Sequence, residues 1–335
     1  MSAIARLFNG ALAPVDVAFT RRTTLDRTRL QLGDSQLREQ TLSAELAAAK
    51  AQLLAAEASI GDMKARSEAS ELLHKEVLQS RQTLIRHQIA SRWSTFDGVE
   101  RLVASPASDR SCPLCGHLAP EAMFTSIVSH CIFGGGVLKR HQCPECDVIF
   151  GADKMFALTP KELSQEYEWH YMVYEEGDST YAELRAFHSL APRKDGRYVN
   201  FGAGSWSKSV EILRDEGWNV YAYEPHNSAA VKADWLINSE AELAAQPFDG
   251  LFSNNVLEHF RYPVQALSEM KRYLKPGALM AHATPCYEYL YEYTRFHLFF
   301  FPGRSRELLA RLANLSIESY ETDAHYMNCV FSSGR

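Results

Sequence analysis

Residues 248–260 read Phe-Asp-Gly-Leu-Phe-Ser-Asn-Asn-Val-Leu-Glu-His-Phe, and this stretch decides the fold. Its apolar first half predicts a buried strand, which ends in the polar pair Asn254 and Asn255. An amphipathic helix is predicted next, and residues 275–277 (Lys-Pro-Gly) then lead into a further apolar strand. Strand-like and helix-like stretches alternate in this way from residue 197 onward, which predicts a parallel α/β sheet.

A turn that contains two glycines precedes this region. Residues 197–201 predict a short strand, Gly202 and Gly204 follow it, and helical spacing comes next. Glycine lets the backbone turn sharply and approach a ligand beside a helix N-terminus. The next predicted strand ends in Glu224, 22 residues after Gly202, where a carboxylate can accept hydrogen bonds from ribose hydroxyls. A nicotinamide-binding fingerprint needs a third glycine where Ser207 stands, which disfavours that class.

The order of these segments resembles class I S-adenosylmethionine-dependent methyltransferases of the ubiquinone and sugar-methyltransferase type. The resemblance covers about residues 195–330, and it includes Val-Leu-Glu-His at 256–259 and Leu-Lys-Pro-Gly at 274–277. It implies an α/β fold, a Rossmann-like sheet with helices on both faces. By position it also implies cofactor-binding roles for five residues, namely Gly202, Gly204, Glu224, Asn254 and Asn255.

The chain departs from the family pattern at two positions. Asn200 stands where the family usually has an acid, and Trp206 stands where a third glycine is often found. Trp206 either narrows the cofactor pocket or points away into helix packing. The alternative to an enzyme is therefore a non-catalytic, methyltransferase-like scaffold. Ser239 and Glu240 are the nearest candidates for an adenine contact.

Three residues are candidates for catalysis. Methyl transfer from a sulfonium is an in-line displacement, and a hydroxyl acceptor also needs a base. The near-neutral pKa of histidine suits a base, and His259 follows the strand that ends at Asn255. The resemblance implies that His297 faces the acceptor, and Glu258 either binds the acceptor or caps the next turn. The alternative for His259 is a hydrogen bond to the backbone at a helix start.

Aromatic residues surround these candidates in the sequence. Four tyrosines alternate with other residues over 287–293 and either stack on a polar ring such as a sugar or form a partly buried strand or lid. A second group has helical spacing and predicts a core face or a cover for the cofactor. Its members are Tyr167, His170, Tyr171 and Tyr174.

Two Cys-x-x-Cys pairs, separated by 27 residues, predict a zinc site. Each pair can hold one side of a tetrahedral ion through a tight turn, and four thiolates close the coordination shell, so the zinc is expected to be structural. Gly116 and Asp147 follow the pairs and tolerate the left-handed backbone of such turns. The expected ligands are Cys112, Cys115, Cys143 and Cys146, and weaker candidates are His117, His130, Cys131 and His141.

Residues 21–95 contain no proline and predict one long helix. Leu25, Leu32, Leu46, Leu53 and Ile60 are spaced by sevens, with Glu39 as the polar break. A second register three residues on includes Leu42, Met63, Val77 and Leu84. This heptad pattern predicts a coiled coil that self-associates into an oligomer, and the alternative is a helix that packs back on its own globular part.

Composition sets the broad class. The chain has 335 residues, a net charge of −6 and 46% hydrophobic residues, which is typical of a globular protein and gives no sign of a nucleic-acid partner. No apolar run is long enough to predict a membrane span, and the N-terminus lacks a clear signal peptide. Seven cysteines, four of them in pairs, favour metal binding in a reducing compartment, so a cytoplasmic location is expected.

The resulting prediction is a methyltransferase with S-adenosylmethionine as cofactor, a structural zinc ion and a sugar or glycan acceptor. The cysteine pairs ahead of the sheet also resemble the N-terminal zinc module of some deoxysugar C-methyltransferases. The expected organisation is a poorly ordered segment at 1–20, a coiled-coil helix at 21–95, a linker at 96–110, a zinc-binding module at 111–150, a helical segment at 151–195 and the methyltransferase domain at 196–335.

Overall fold

The computed structural model describes residues 4–103, 109–174, 177–204, 206–225, 233–323 and 326–333, with side chains described from residue 21 onward. The chain divides into two compact units, residues 1–79 and residues 80–335. Eight helices are described, namely α1 (Ile4–Val103), α2 (Asp153–Phe156), α3 (Pro160–Val173), α4 (Thr180–Ser189), α5 (Lys208–Asp215), α6 (Glu240–Ala244), α7 (Pro263–Lys271) and α8 (Ser305–Leu312).

Thirteen strands are described. They are β1 (Asp109–Ser111), β2 (Leu118–Pro120), β3 (Thr125–His130), β4 (Val137–Gln142), β5 (Ile149–Gly151), β6 (Arg197–Phe201), β7 (Asn219–Tyr223), β8 (Leu236–Ile237), β9 (Phe248–Asn254), β10 (Leu274–Ala283), β11 (Phe299–Phe300), β12 (Leu315–Asp323) and β13 (Tyr326–Ser333). Short 3₁₀ turns lie at Glu121–Met123, Leu257–His259 and Pro285–Tyr287.

The first unit lies entirely within α1. All side chains described over 21–79 are exposed, including the leucines of the heptad pattern. The backbone is helical from Ile4, where a poorly ordered segment was expected, while residues 1–3 lie outside the described part. Among the described residues, no helix is long and apolar enough to cross a membrane.

The end of α1 belongs to the second unit and differs from the expected linker. The helix continues to Val103, because its last turns are held by specific contacts. Trp93 is fully buried, and its indole N–H donates to Glu166 Oε2 of α3 at 2.9 Å. Asp97 forms a buried ion pair with Lys154 of α2. Only residues 104–108 of the expected linker lie outside the described part.

A seven-stranded sheet forms the centre of the second unit. Its strand order is β12-β13-β10-β9-β6-β7-β8, with β13 antiparallel to both of its neighbours and the other pairs parallel. The chain builds outward from β6 through β7 to β8, and then returns to place β9 and β10 on the other side of β6. The point where this direction reverses lies between β6 and β9, and in such sheets ligands bind beyond the carboxyl ends of these strands.

Helices cover both faces of this sheet, as expected. Neighbouring strand residues point to opposite faces, and they separate into two apolar clusters. Val199, Leu251 and Met280 pack in the cluster that contains residues of α7 and α8. Tyr198 and Phe252 pack instead with residues of α4 and α5.

A second sheet joins the cysteine-containing region to the methyltransferase-like region. Its order is β11-β5-β4-β3, so the expected module at 111–150 receives its edge strand from residues 299–300. The pairing of β5 with β11 therefore crosses the boundary that was expected between the cysteine-containing module and the last domain. The N-terminus of α3 is capped, because Thr159 and Glu162 form a reciprocal capping box and Pro160 occupies the first turn.

Candidate functional site

The four paired cysteines converge at one point. Their Sγ atoms all lie within 4.8 Å of one another, and the Cys112–Cys146 and Cys115–Cys143 pairs are 3.7 Å apart. Two thiolates bound to one tetrahedral zinc at about 2.3 Å lie about 3.8 Å apart. These two sulfur separations therefore match those expected around a tetrahedral ion. None of the four weaker candidate ligands belongs to this group among the described residues.

Both cysteine pairs lie in turns with the same backbone pattern. The N–H of Cys112 donates to the carbonyl of His117, and the N–H of Cys143 donates to the carbonyl of Val148. Gly116 and Asp147 have φ angles of 75° and 68°, as the sequence predicted. Two equivalent turns thus present two sulfurs each to the same point.

The glycine pair follows β6 at the reversal point of the sheet. Gly202 and Gly204 have φ angles of 73° and 71°, which side chains disfavour. A Cβ on Gly202 would also lie 2.8 Å from Val256 Cγ2, so the close approach of these loops needs glycine. The N–H of Gly204 donates to Glu224 Oε2 at 3.2 Å, which brings the expected ribose-binding carboxylate beside the glycine turn.

The missing acid at position 200 is replaced by an acid from another element. Asn200 is buried, and its side-chain amide donates to Glu183 Oε2 of α4 at 2.7 Å. The same carboxylate accepts hydrogen bonds from the hydroxyls of Ser207 and Ser209, next to the glycine turn. Ser179 donates to its other oxygen at 2.5 Å. Sequence reasoning missed Glu183, because nothing in the motifs links α4 to β6.

Trp206 turns toward α5. Its indole N–H donates to Glu211 Oε2 at 2.9 Å, its ring meets Trp235 edge-on at 4.9 Å, and 47% of the residue is exposed. Of the two alternatives, the orientation into helix packing is thus the one observed. Trp206, one of the two residues that motivated the scaffold alternative, therefore contacts Glu211 and Trp235.

The other expected cofactor contacts also lie at strand ends. Asn254 ends β9, and Asn255 follows with a φ of 53° and an N–H that donates to the carbonyl of Ala283. Ser239 caps α6 through the N–H of Glu242, so its hydroxyl serves the helix. Glu240, the other adenine candidate, is exposed in the first turn of α6.

Glu258, His259 and His297 form one cluster, although His297 is 38 residues further along the chain than His259. The 3₁₀ turn after β9 presents Glu258 and His259, and the rings of His259 and His297 have centroids 5.0 Å apart. His297 Nε2 lies 3.8 Å from Glu258 Oε1. The three catalytic candidates are thus brought together beyond the carboxyl end of β9.

Neither alternative role for the first two residues is observed. Glu258 does not cap a turn, since its Oε1 accepts from the Thr284 hydroxyl at 2.6 Å. His259 Nδ1 lies 3.0 Å from the hydroxyl of Tyr167 in α3, so its ring bonds to a side chain and not to the backbone. Tyr167 also stacks on Phe296 at 4.2 Å. The aromatic face of α3 therefore reaches the candidate site, a contact that its spacing alone did not predict.

Burial shifts the pKa of each member of the cluster in the direction that favours its uncharged form. Desolvation raises the pKa of Glu258 to about 7 and lowers the pKa of His259 to about 4. Desolvation, together with the charges of His259 and Arg140, lowers the pKa of His297 well below its usual value. At neutral pH both imidazoles are therefore unprotonated and can accept a proton or bind a ligand.

The segment 285–304 carries His297 and is held by the second sheet. Arg140 of β4 is fully buried, and its guanidinium donates to the carbonyls of Glu292, Thr294 and His297 at 2.7, 2.9 and 3.2 Å. Asp147, in the second cysteine turn, binds Arg304. The position of His297 thus depends on the sheet that carries the cysteines.

The tyrosines of 287–293 do not form a strand. Tyr287 is fully buried against Tyr320, so it is not available to a ligand. Tyr291 is 36% exposed and meets Tyr293 edge-on, with ring centroids 5.6 Å apart. The carbonyl of Tyr291 accepts a hydrogen bond from His297 Nδ1 at 3.0 Å. Tyr291 is therefore linked by this hydrogen bond to the cluster of Glu258, His259 and His297.

Comparison with known proteins agrees with this arrangement. Residues 172–326 match a family model described as a methyltransferase domain. No relative was found among curated proteins. The strand order, the reversal point and the family match define a class I S-adenosylmethionine-dependent methyltransferase fold. The chain thus contains an S-adenosylmethionine-dependent methyltransferase domain, as the sequence predicted.

Several solved structures are similar to the chain. One is the complex of the Haloferax volcanii Trm112 methyltransferase activator with a putative methyltransferase, at 14% identity, with 47% of this chain and 91% of that chain covered and a TM-score of 0.39. Another is Burkholderia thailandensis 1,6-didemethyltoxoflavin-N1-methyltransferase with bound 1,6-didemethyltoxoflavin and S-adenosylhomocysteine. It has 15% identity, coverage of 58% and 95%, and a TM-score of 0.38.

Proposed function

We propose that the chain transfers a methyl group from S-adenosylmethionine to a sugar, either a nucleotide sugar or a glycan, with His259 as the base. The observation that carries this proposal is the cluster of Glu258, His259 and His297 beyond the carboxyl end of β9. The cluster and the glycine turn both follow the carboxyl ends of neighbouring strands, β9 and β6, at the point where the strand order reverses. The cofactor supplies an activated methyl group, and the chain's own residues must orient and deprotonate the acceptor.

The cofactor would be held by the glycine turn and its neighbours. Gly202 and Gly204 leave room for the methionine part, and Glu224 is positioned to accept hydrogen bonds from the ribose. Asn254 and Asn255 complete this edge. Glu183 fixes the turn from behind through Asn200, Ser207 and Ser209, and the four-cysteine site would hold a structural zinc ion.

His259 is unprotonated at neutral pH and can receive the acceptor's proton, but its pKa of about 4 makes it a weaker base than an ordinary histidine. Its partly exposed side gives access to an acceptor, whereas Glu258 and His297 are buried behind it. The half-exposed Tyr291 and Tyr293 could stack on a sugar ring at the edge of the site. These contacts favour a polar, hydroxyl-bearing acceptor.

Transfer of labelled methyl groups tests this function. We expect label to move from S-adenosylmethionine to a nucleotide sugar or glycan in a panel that also contains proteins and quinones. His259→Ala is expected to lower kcat by about 100-fold or more, as loss of a general base does, while binding of S-adenosylhomocysteine stays unchanged. The exposed His188 of α4 offers a matched control, so His188→Ala should retain full activity.

The outcomes separate the parts of the proposal. Transfer to a protein or quinone but to no carbohydrate would overturn the proposal of a sugar acceptor. Full activity of His259→Ala would overturn the proposal that His259 is the base. Calorimetry that detects no binding of S-adenosylmethionine or S-adenosylhomocysteine would favour the non-catalytic scaffold.

We also propose that the chain self-associates through α1. The heptad residues Leu25, Leu32, Leu46, Leu53 and Ile60 are each more than half exposed on the described helix, and a helix gains stability when such a stripe is buried against a partner.

Sedimentation of the full chain tests this association. The double variant Leu46→Lys and Leu53→Lys is expected to sediment at the mass of one chain, because two charges would be buried in the interface. Ala51→Lys with Ala58→Lys adds the same charge on the opposite side of the helix and should leave the oligomer intact. If both double variants sediment at the same mass, the heptad leucines do not form the interface.

A further inference from the structure

We propose that Glu258, His259 and His297 bind a divalent transition-metal ion, which in turn binds the hydroxyl oxygen of the acceptor. This inference rests on the proposed function, because it concerns the acceptor side of the same site. Within the described part of the chain, the four cysteines and this cluster are the two groups whose metal-binding atoms come within 4.8 Å of one another.

The donor set matches a known preference. Two imidazoles and one carboxylate on one side of an ion are typical of divalent transition metals such as iron and zinc, and they leave coordination positions open for other ligands. His297 Nε2 and Glu258 Oε1 are 3.8 Å apart. Two ligands at about 2.1 Å from one ion lie about 3.0 to 3.4 Å apart, so a shift of less than about 1 Å brings this pair into range.

Each ring is oriented through its other nitrogen. His297 Nδ1 donates to the carbonyl of Tyr291 at 3.0 Å, which leaves Nε2 with a free lone pair. His259 Nδ1 lies 3.0 Å from the Tyr167 hydroxyl, and when Nδ1 is the donor in this bond, Nε2 carries the lone pair that a metal ion needs. Metal-binding histidines are usually fixed in this way by a hydrogen bond on the nitrogen that does not bind the metal.

The carboxylate provides an independent indication. Glu258 is fully buried, and its Oε1 accepts a hydrogen bond from Thr284. Its Oε2 is buried without any hydrogen-bond partner in the structure. Buried carboxylate oxygens are nearly always paired. An unpaired oxygen on a carboxyl group whose other oxygen lies 3.8 Å from His297 Nε2 therefore indicates a position for a cation.

The buried guanidinium of Arg140 is held by uncharged acceptors. Arg140 directs its two terminal nitrogens at three backbone carbonyls and at the hydroxyls of Ser129 and Tyr289. The guanidinium is therefore directed at the 285–304 backbone and does not form an ion pair with Glu258. The carboxyl group of Glu258 therefore has no ion pair with Arg140, and a bound cation would favour its ionised form.

With the ion bound, His259 would act as a ligand and not as the base, and the ion would activate the acceptor hydroxyl in its place. An acceptor hydroxyl bound to the ion loses its proton to solvent more readily, because the ion stabilises the resulting oxyanion. The oxyanion then attacks the methyl carbon of the sulfonium, so that an O–C bond forms and the S–C bond breaks. The products are the methyl ether and S-adenosylhomocysteine. The partly exposed His259 marks the side from which solvent and acceptor reach the ion.

Counting bound zinc after equilibrium dialysis tests the inference. We expect two zinc ions per chain in the unsubstituted protein, one at the cysteines and one at this cluster. Glu258→Gln, which keeps the side-chain volume, and His297→Gln should each bind one. His188→Ala should bind two, which controls for exposed histidines. Unchanged binding of S-adenosylhomocysteine by Glu258→Gln would show that the variant is folded.

One zinc ion in the unsubstituted protein, or two in Glu258→Gln, would overturn the inference. The same samples distinguish it from the proposed function. Binding of S-adenosylhomocysteine with a single zinc ion would leave the methyltransferase function in place and remove the metal site. Two zinc ions without binding of S-adenosylhomocysteine would keep the metal site and remove the function.

Discussion

Cys143→Ala is expected to lose one zinc ion per chain and to lower methyl transfer by about 100-fold or more. Cys143 is fully buried, and its sulfur belongs to the group whose spacing fits a tetrahedral ion. Structural zinc supplies apparent binding free energies of about 10 kcal/mol or more, which become folding free energy of the surrounding turns. Loss of the ion should therefore disorder the cysteine turns and the strands between them.

The effect should reach catalysis through the shared sheet. β5 pairs with β11, and Arg140 of β4 binds the carbonyl of His297, so disorder of these strands releases the segment that carries His297. The glycine turn is built by other strands, and binding of S-adenosylhomocysteine should change by less than about threefold. We therefore expect a loss of turnover with retention of cofactor affinity.

Elemental analysis, labelled methyl transfer and calorimetry on the same preparation measure the three quantities. Cys131→Ser is the matched control, because Cys131 is a buried cysteine of the same region that lies outside the four-sulfur group. It should keep its zinc and most of its activity. A Cys143→Ala variant with full zinc content, or one with full activity after zinc loss, would contradict the prediction.

Glu183→Ala is expected to weaken binding of S-adenosylhomocysteine by at least about tenfold and to lower the free energy of unfolding by about 3 kcal/mol or more. The buried carboxylate accepts hydrogen bonds from Asn200, Ser207 and Ser209. Each buried polar group left without a partner costs about 1–3 kcal/mol. Asn200 and Ser207 flank the glycine turn, so its geometry should loosen as well.

Urea unfolding and calorimetry check these values. Glu183→Gln keeps one acceptor oxygen and should fall between the alanine variant and the unsubstituted protein. Glu168 is exposed on α3, and Glu168→Ala should match the unsubstituted protein in both measurements. Unchanged cofactor affinity in Glu183→Ala would mean that the glycine turn holds its shape without this carboxylate.

The parts of the molecule that are local in sequence were predictable. The cysteine turns, the left-handed Gly116 and Asp147, and the glycine turn each depend on residues a few positions apart. The alternation of strands and helices also predicted the sheet, because side-chain periodicity records which face of each element is buried. The strand order then places the glycine turn and the 256–259 stretch at the same reversal point.

The contacts that complete the site depend on tertiary structure. Glu183 reaches Asn200 from another element, Tyr167 meets His259 across 92 positions of sequence, and Arg140 binds the carbonyl of His297 across 157. Periodicity specifies that a face is buried, but it does not specify the element that packs there. The sequence by itself therefore determined the elements, the zinc-binding pattern and the class of sheet. The tertiary structure alone decided that Glu183 of α4 contacts Asn200, where an acid is absent, and that the sheet beside the second cysteine turn supports the segment that carries His297.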